Sequence, residues 1–252
     1  MARRARGKSE SGIYHIIMRG INKDHIFYDS EDKKRFYEIL LRYKKLSDYL
    51  IYGYCFMDNH VHILLKEISE PLSLVVKRIS GSYVYWYNNK HGRCGHLFQE
   101  RYRSETVEDD IYFLTVLRYI HQNPLKAGLV KNVLDYNWTS LSEYLHEPIL
   151  VDREFALNIF SPNCNQGIKL LKTFMEKQNS DFCLDIDDKK KLTDQNVRAL
   201  LEEYNNSNLA ELSKINKNDR DFILTELKAV EGLTIRQLSR ITGISKSYIA
   251  RL

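Results

Sequence analysis

Two apolar runs, Ile51–Met57 and Val61–Leu65, are separated by little more than Asp58-Asn59. Short runs rich in β-formers, broken by a turn-forming pair, predict an antiparallel hairpin. Strands this apolar belong in the middle of a sheet, so the rest of the chain has to supply flanking strands and covering helices. Ile13–Arg19 alternates loosely and reads as a further strand, closed by Gly20. Ser30 is expected to cap a helix, with Glu31 and Asp32 in its first turn and Phe36, Ile39, Leu40 and Tyr43 at helical spacing. Pro71–Asn88 reads as a second helix and Arg103–Val107 as a fourth strand. Asp109 or Asp110 caps a third helix, expected to run to about Asn123, where Pro124 stops it. The order β-α-β-β-α-β-α is an α+β, ferredoxin-like pattern with one extra helix, spanning residues 1–146.

Beyond it, residues 147–191 read as a helical extension and linker. Short helices are expected around Phe155–Phe160 and Ile168–Phe174, and Asp185–Lys191 is the link. Residues 192–252 read as a helical domain, in which Thr193 caps a helix through Tyr204 and another helix runs from about Asp219 to Val230. Its end, residues 233–251, has the parts of a helix-turn-helix. Thr234 caps one helix with Ile235, Leu238 and Ile241 on its apolar face; Gly243 turns the chain; Ser245 caps a second helix anchored by Ile249. Lys246, Ser247, Tyr248 and Arg251 are its groove-facing candidates.

Charge divides the chain in a way its total does not show. Residues 1–146 hold 22 Lys+Arg against 17 Asp+Glu, a net of +5, and residues 147–252 hold 16 of each. Residues 232–252 nevertheless carry four basic side chains and no acid. Two separated basic regions suit a polyanion, although a solvated surface would look the same. Arg3, Arg4, Arg6 and Lys8 add a basic arm. No apolar run approaches the roughly 18 residues of a membrane span. The four cysteines form no CxxC pair, so a reduced, cytoplasmic protein is expected.

Chemistry enters through His60-Val61-His62. Side chains two apart on a strand share a face, so both imidazoles point one way and Val61 the other. Alone this is weak evidence for a metal clamp. The second motif is Tyr119-Ile-His-Gln-Asn-Pro124. On a helical wheel Phe113, Leu114, Val116, Leu117 and Ile120 form one apolar arc, and Tyr119 falls outside it. Tyr119 is therefore expected outside the core, with its hydroxyl free to reach the sheet and Asn123 one turn on. Gln99, Arg101 and Arg103 beside Tyr102 look like a phosphate-contacting strand, or a mixed edge strand. His15 and Arg19 are placed at the rim of the same site, with a structural role equally open. His91, Cys94 and His96 have a spacing that fits no usual zinc set.

Taken together these stretches resemble the HUH single-tyrosine transposases, and specifically the REP-associated tyrosine transposases. The resemblance rests on residues 14–20, 54–65, 95–104, 119–130 and 136–140, which occur in the family's order within residues 1–146. It implies His60 and His62 as metal ligands, Tyr119 as the nucleophile and Asn123 as third ligand, with His121 and Gln122 close enough to replace it. It implies Mg²⁺ or Mn²⁺, where imidazoles alone would suit zinc as well. It also implies single-stranded or hairpin DNA as substrate, cut through a 5′-phosphotyrosine. Monomer and homodimer both remain open. Two rival readings are a non-catalytic, sequence-specific DNA-binding regulator and a metal-dependent RNase that uses water.

Overall fold

The computed structural model describes residues 7–179, 181–185, 194–205, 216–230 and 232–252. The chain separates into two compact units, Met1–Asp185 and Ile186–Leu252. The basic residues Arg3, Arg4 and Arg6, the expected linker beyond Asp185 and the expected cap Thr193 lie outside the described residues.

The first unit is built on a four-stranded antiparallel sheet. Its strands are β1 (Ile13–Arg19), β2 (Leu50–Met57), β3 (His60–Lys66) and β4 (Arg103–Thr106), in the order β2-β3-β1-β4. The predicted hairpin is β2–β3, pairing Phe56 with Val61 and Met57 with His60 around Asp58-Asn59. Helices α1 (Ser30–Ser47) and α2 (Leu72–Lys90) follow β1 and β3. They cover the sheet face that carries Phe56, where Phe36 meets Phe56 and Tyr83 edge-on with ring centroids 5.3 and 5.0 Å apart. All three rings are fully buried, each worth about 1.5–3 kcal/mol relative to exposure. The cap of α1 is Asp29, one residue before the expected Ser30, and its carboxylate accepts from the Asp32 amide at 2.9 Å. Carboxylate and hydroxyl both serve as caps, so the sequence offers two neighbouring solutions.

The opposite face is covered by α3 (Asp110–Lys126), capped by Asp109 as expected. Pro124 does not stop it; the helix continues to Lys126. A proline this close to a C-terminus removes a single backbone bond, and the helix ends within a turn. Gly53 on β2 lets α3 come close: a Cβ there would lie 2.8 Å from Leu117 Cδ1. After α3 come α4 (Leu141–Leu145), α5 (Glu154–Phe160) and α6 (Cys164–Glu176). Their buried residues Leu141, Tyr144, Ala156, Leu157, Leu171 and Met175 belong to the same core as the sheet, as does Leu150 between α4 and α5. The segment expected as an extension past residue 146 is thus part of the first unit as far as Asp185.

His121 faces this core, with its Nε2 2.7 Å from Ser140 Oγ. Burial pulls its pKa down to about 3 from 6.5. Between those values the unfolded chain takes up a proton that the folded chain refuses, so stability is lost as pH falls through that window. Thermal melts from pH 7 to 4 should show a falling Tm, with His121 contributing on the order of several kcal/mol at the acid end. His121→Gln should flatten that slope; an unchanged slope would assign the acid sensitivity to other groups.

The second unit contains α7 (Asp194–Asn205), α8 (Lys217–Ala229), α9 (Ile235–Thr242) and α10 (Lys246–Arg251). Val197, Leu201, Ile223, Leu224, Leu227, Leu238 and Ile249 form its own small core. Thr234 and Ser245 cap α9 and α10, accepting from Gln237 N and Tyr248 N. Gly243 between them has φ +74°, a conformation that favours glycine. No helix among the described residues is long and apolar enough to cross a membrane.

Candidate active site

The sheet face under α3 collects the candidate residues by register. β1 and β3 pair Arg19 with His60 and Ile17 with His62, and β1 and β4 pair His15 with Glu105 and Ile17 with Arg103. Partners across a strand pair point the same way, so His15, Arg19, His60, His62, Arg103 and Glu105 share one face. The His60 and His62 ring centroids are 5.0 Å apart. His62 is fully buried and stacks on His15 at 5.2 Å, with its Nδ1 3.0 Å from His15 Nε2. His60 is half-buried, and its Nδ1 lies 2.6 Å from Asn59 Oδ1.

Tyr119 comes down from α3 onto this face. Its ring meets His62 edge-on at 5.8 Å and His15 at 6.1 Å. It is only 4% exposed, which corrects the expectation that it lies outside the core. The wheel shows one covered side of α3, but this helix is covered on two. Residues 177–179 and 181–185 run along its second side, where Gln122 Nε2 donates to the carbonyls of Met175 and Lys177 and Arg118 forms a two-bond pair with Asp181 at 2.7 and 2.8 Å. Burial raises the Tyr119 pKa well above 10, and a hydrogen bond with the Asp185 carboxylate raises it further; the Asn123 amide acts in the opposite direction. Lys126 Nζ lies 4.6 Å from the Tyr119 ring centroid.

Asn123 is therefore beside the Tyr119 hydroxyl. The two alternatives to it are engaged elsewhere: His121 with Ser140, and Gln122 with Met175, Lys177 and Asn179. Among the described residues no group of three or more His, Cys, Asp or Glu side chains is arranged to hold a metal ion. His91 instead faces Asp32 at 3.0 Å, while Cys94 and His96 are exposed. A metal on this face would have two imidazoles and would need an amide or substrate oxygens to complete its shell. One observation fits such an ion: His62 Nε2 is buried and has no hydrogen-bond partner among the described residues. Burial, and then His60 and His15, hold the His62 pKa well below 6.5, which keeps the ring neutral as a ligand must be.

The basic candidates divide. Arg19 is half-buried opposite His60, and Arg103 is exposed, with its Nη1 donating to the Asp185 carbonyl at 2.8 Å. Gln99 and Arg101 are exposed but precede β4 and do not extend it, because Glu100 at φ 103° breaks the strand. The Gln99 amide still pairs with the Arg19 carbonyl at 2.8 Å. In the second unit Lys246, Ser247 and Arg251 are exposed on α10. The Tyr248 hydroxyl is instead bonded to the Asp221 carboxylate at 2.7 and 2.9 Å, so this tyrosine joins α10 to α8. Two residues at the site were not singled out from sequence, Glu105 and Asp185. Their partners His15 and Tyr119 lie far away in the chain, and a lone acid gives no local signal.

This sheet face thus carries two histidines, with a buried tyrosine delivered onto it from a facing helix. Residues 8–123 match the family described as "Transposase IS200 like". No curated protein matches the chain. Among solved structures, similarity is found to a REP-associated tyrosine transposase bound to a REP hairpin, at 15% identity and TM-score 0.49, covering 57% of this chain and 84% of that one. A candidate transposase from Deinococcus radiodurans is similar at 19% identity and TM-score 0.35, covering 48% of this chain and 97% of that one.

Proposed function

We propose that the chain cleaves and rejoins single-stranded, hairpin-forming DNA through a covalent 5′-phosphotyrosine on Tyr119, in the manner of REP-associated tyrosine transposases. The observation that carries this reading is the edge-on packing of the Tyr119 ring against His62, 5.8 Å between centroids. The Tyr119 hydroxyl oxygen attacks phosphorus, the bond to the 3′ oxygen breaks, and the leaving strand keeps a 3′-hydroxyl. The ester energy stays in the adduct, so attack by another 3′-hydroxyl rejoins the strand without ATP. His60, His62 and Asn123 would hold Mg²⁺ or Mn²⁺. When bound, such an ion neutralises charge on the scissile phosphate. Arg19, Gln99, Arg101 and Arg103 would contact the strand near the site. Labelled hairpin DNA incubated with the full chain and Mn²⁺, then run on a denaturing gel, tests the reading: a protein–DNA adduct supports it, and product formation with no trapped adduct supports water-dependent hydrolysis instead.

The second unit is proposed as the DNA-binding domain, through Lys246, Ser247 and Arg251. Removing residues 192–252 should weaken binding to the natural target and flatten its salt dependence, because fewer counterions are released. Loss of about two or three phosphate contacts should lower the log–log slope by about the same number. Affinities measured from 50 to 300 mM salt (roughly the range over which such slopes are read) check this. An unchanged slope would leave the unit a role other than DNA contact.

A further inference from the structure

We infer that Glu105 and His15 form a positioning relay that fixes His62 in the tautomer whose Nε2 lone pair faces the metal position. The inference rests on the proposed metal-holding role of His62. The register of β1 with β4 sets His15 opposite Glu105, and His15 Nδ1 lies 2.7 Å from Glu105 Oε1. His15 Nε2 lies 3.0 Å from His62 Nδ1, and the two rings are stacked with 22° between their planes. Both histidines are 0% exposed, so these bonds are shielded from bulk solvent.

The proton positions follow in sequence. Glu105 is a hub: both its oxygens also accept from the Leu184 amide at 3.0 Å, and Tyr112 donates to it. Burial pushes its carboxyl up, but these bonds and that of His15 outweigh it and hold it below the usual value. A carboxylate only accepts, so His15 Nδ1 carries the proton. In the tautomer with its proton on Nδ1, the His15 ring has its lone pair on Nε2, which accepts from His62 Nδ1–H. The His62 lone pair is left on Nε2, the buried atom with no hydrogen-bond partner among the described residues. Reversing the chain would put a proton on His62 Nε2 and leave no lone pair there for an ion. Neither Glu105 nor His15 needs to touch substrate for this; both act through His62.

The test uses the full chain and Mn²⁺ binding without DNA, measured by calorimetry. His15→Phe keeps a ring but breaks the relay, and should weaken Mn²⁺ affinity about 10- to 100-fold. His15→Gln can still accept from His62 and donate to Glu105, so it should restore affinity to within a few-fold of the parent. Glu105→Gln, whose amide accepts or donates equally well, should give an intermediate loss. Nitrogen NMR of the metal-free parent chain, with labelled histidines, should show a protonated Nδ1 and an unprotonated Nε2 at His62. This measurement needs no variant and decides the matter even where His15→Phe fails to fold. Protonated Nε2 on His62 overturns the relay, as does wild-type Mn²⁺ affinity in a folded His15→Phe chain. The underlying metal reading fails separately: it falls if His62→Ala binds Mn²⁺ as the parent does.

Discussion

Tyr119→Phe is expected to bind hairpin DNA and divalent ion as the parent chain does, yet to form no adduct and cut nothing. Phenylalanine keeps the ring against His15 and His62 and beneath Lys126, so packing is preserved and only the hydroxyl goes. Removing a nucleophile that forms a covalent intermediate costs on the order of 10⁴-fold or more. The structure also limits the substitutes. Tyr112, two turns earlier on α3, has its hydroxyl bonded to Glu105, and Tyr102 is half-buried before the short β4 strand. Peptide mapping of the adduct identifies the residue that carries DNA. Label on Tyr112 or Tyr102 would move the nucleophile and keep the class; cleavage by Tyr119→Phe at the parent rate would remove the covalent mechanism. Because burial and Asp185 raise the Tyr119 pKa above 10, the phenolate is scarce at neutral pH. Adduct formation should therefore rise as pH rises toward that value, in proportion to the deprotonated fraction.

The sheet was legible in the sequence because its signals are local. Apolar runs around Asp58-Asn59 define the hairpin, and alternation alone puts His60 and His62 on one face. The helix-turn-helix elements were legible for the same reason, since caps and turn glycine sit within 20 residues of one another. What was not legible depends on distant parts of the chain. Tyr119 reads as lying outside the apolar arc of α3, and it is buried because residues 177–179 and 181–185 cover that side. His15 reads as a rim residue and is fully buried, joined to an acid 90 residues away. Tyr248 reads as groove-facing and is tied down by Asp221, on a helix whose role in that contact no local pattern announces. In each case an amphipathic or polar side chain has found a partner that the local pattern cannot supply.

Each of His60→Ala and His62→Ala should abolish cleavage, but the two should differ in what they do to the fold. His62 is fully buried, hydrogen-bonded to His15 and stacked on it. Truncating it leaves His15 Nε2 without its partner and opens a small cavity, a loss of about 1–3 kcal/mol. His60 is half-buried at the start of β3, with Asn59 as its neighbour, and its truncation should cost about 1 kcal/mol or less. Thermal melts should accordingly separate the variants, while labelled-hairpin cleavage at ordinary Mg²⁺ should not. That contrast distinguishes a chemical role from a structural one: if the histidines only supported the sheet, lost activity would follow lost stability, and His60→Ala would cleave nearly as well as the parent. A ligand role predicts the reverse, an inactive His60→Ala chain with a near-parental Tm. Raising Mn²⁺ should recover part of its cleavage, since a weakened site fills at higher ion concentration by mass action. Tyr119 is untouched in both variants, so any adduct recovered at high Mn²⁺ should still map to it. Full cleavage by either variant at ordinary Mg²⁺ would exclude His60 and His62 as the metal pair.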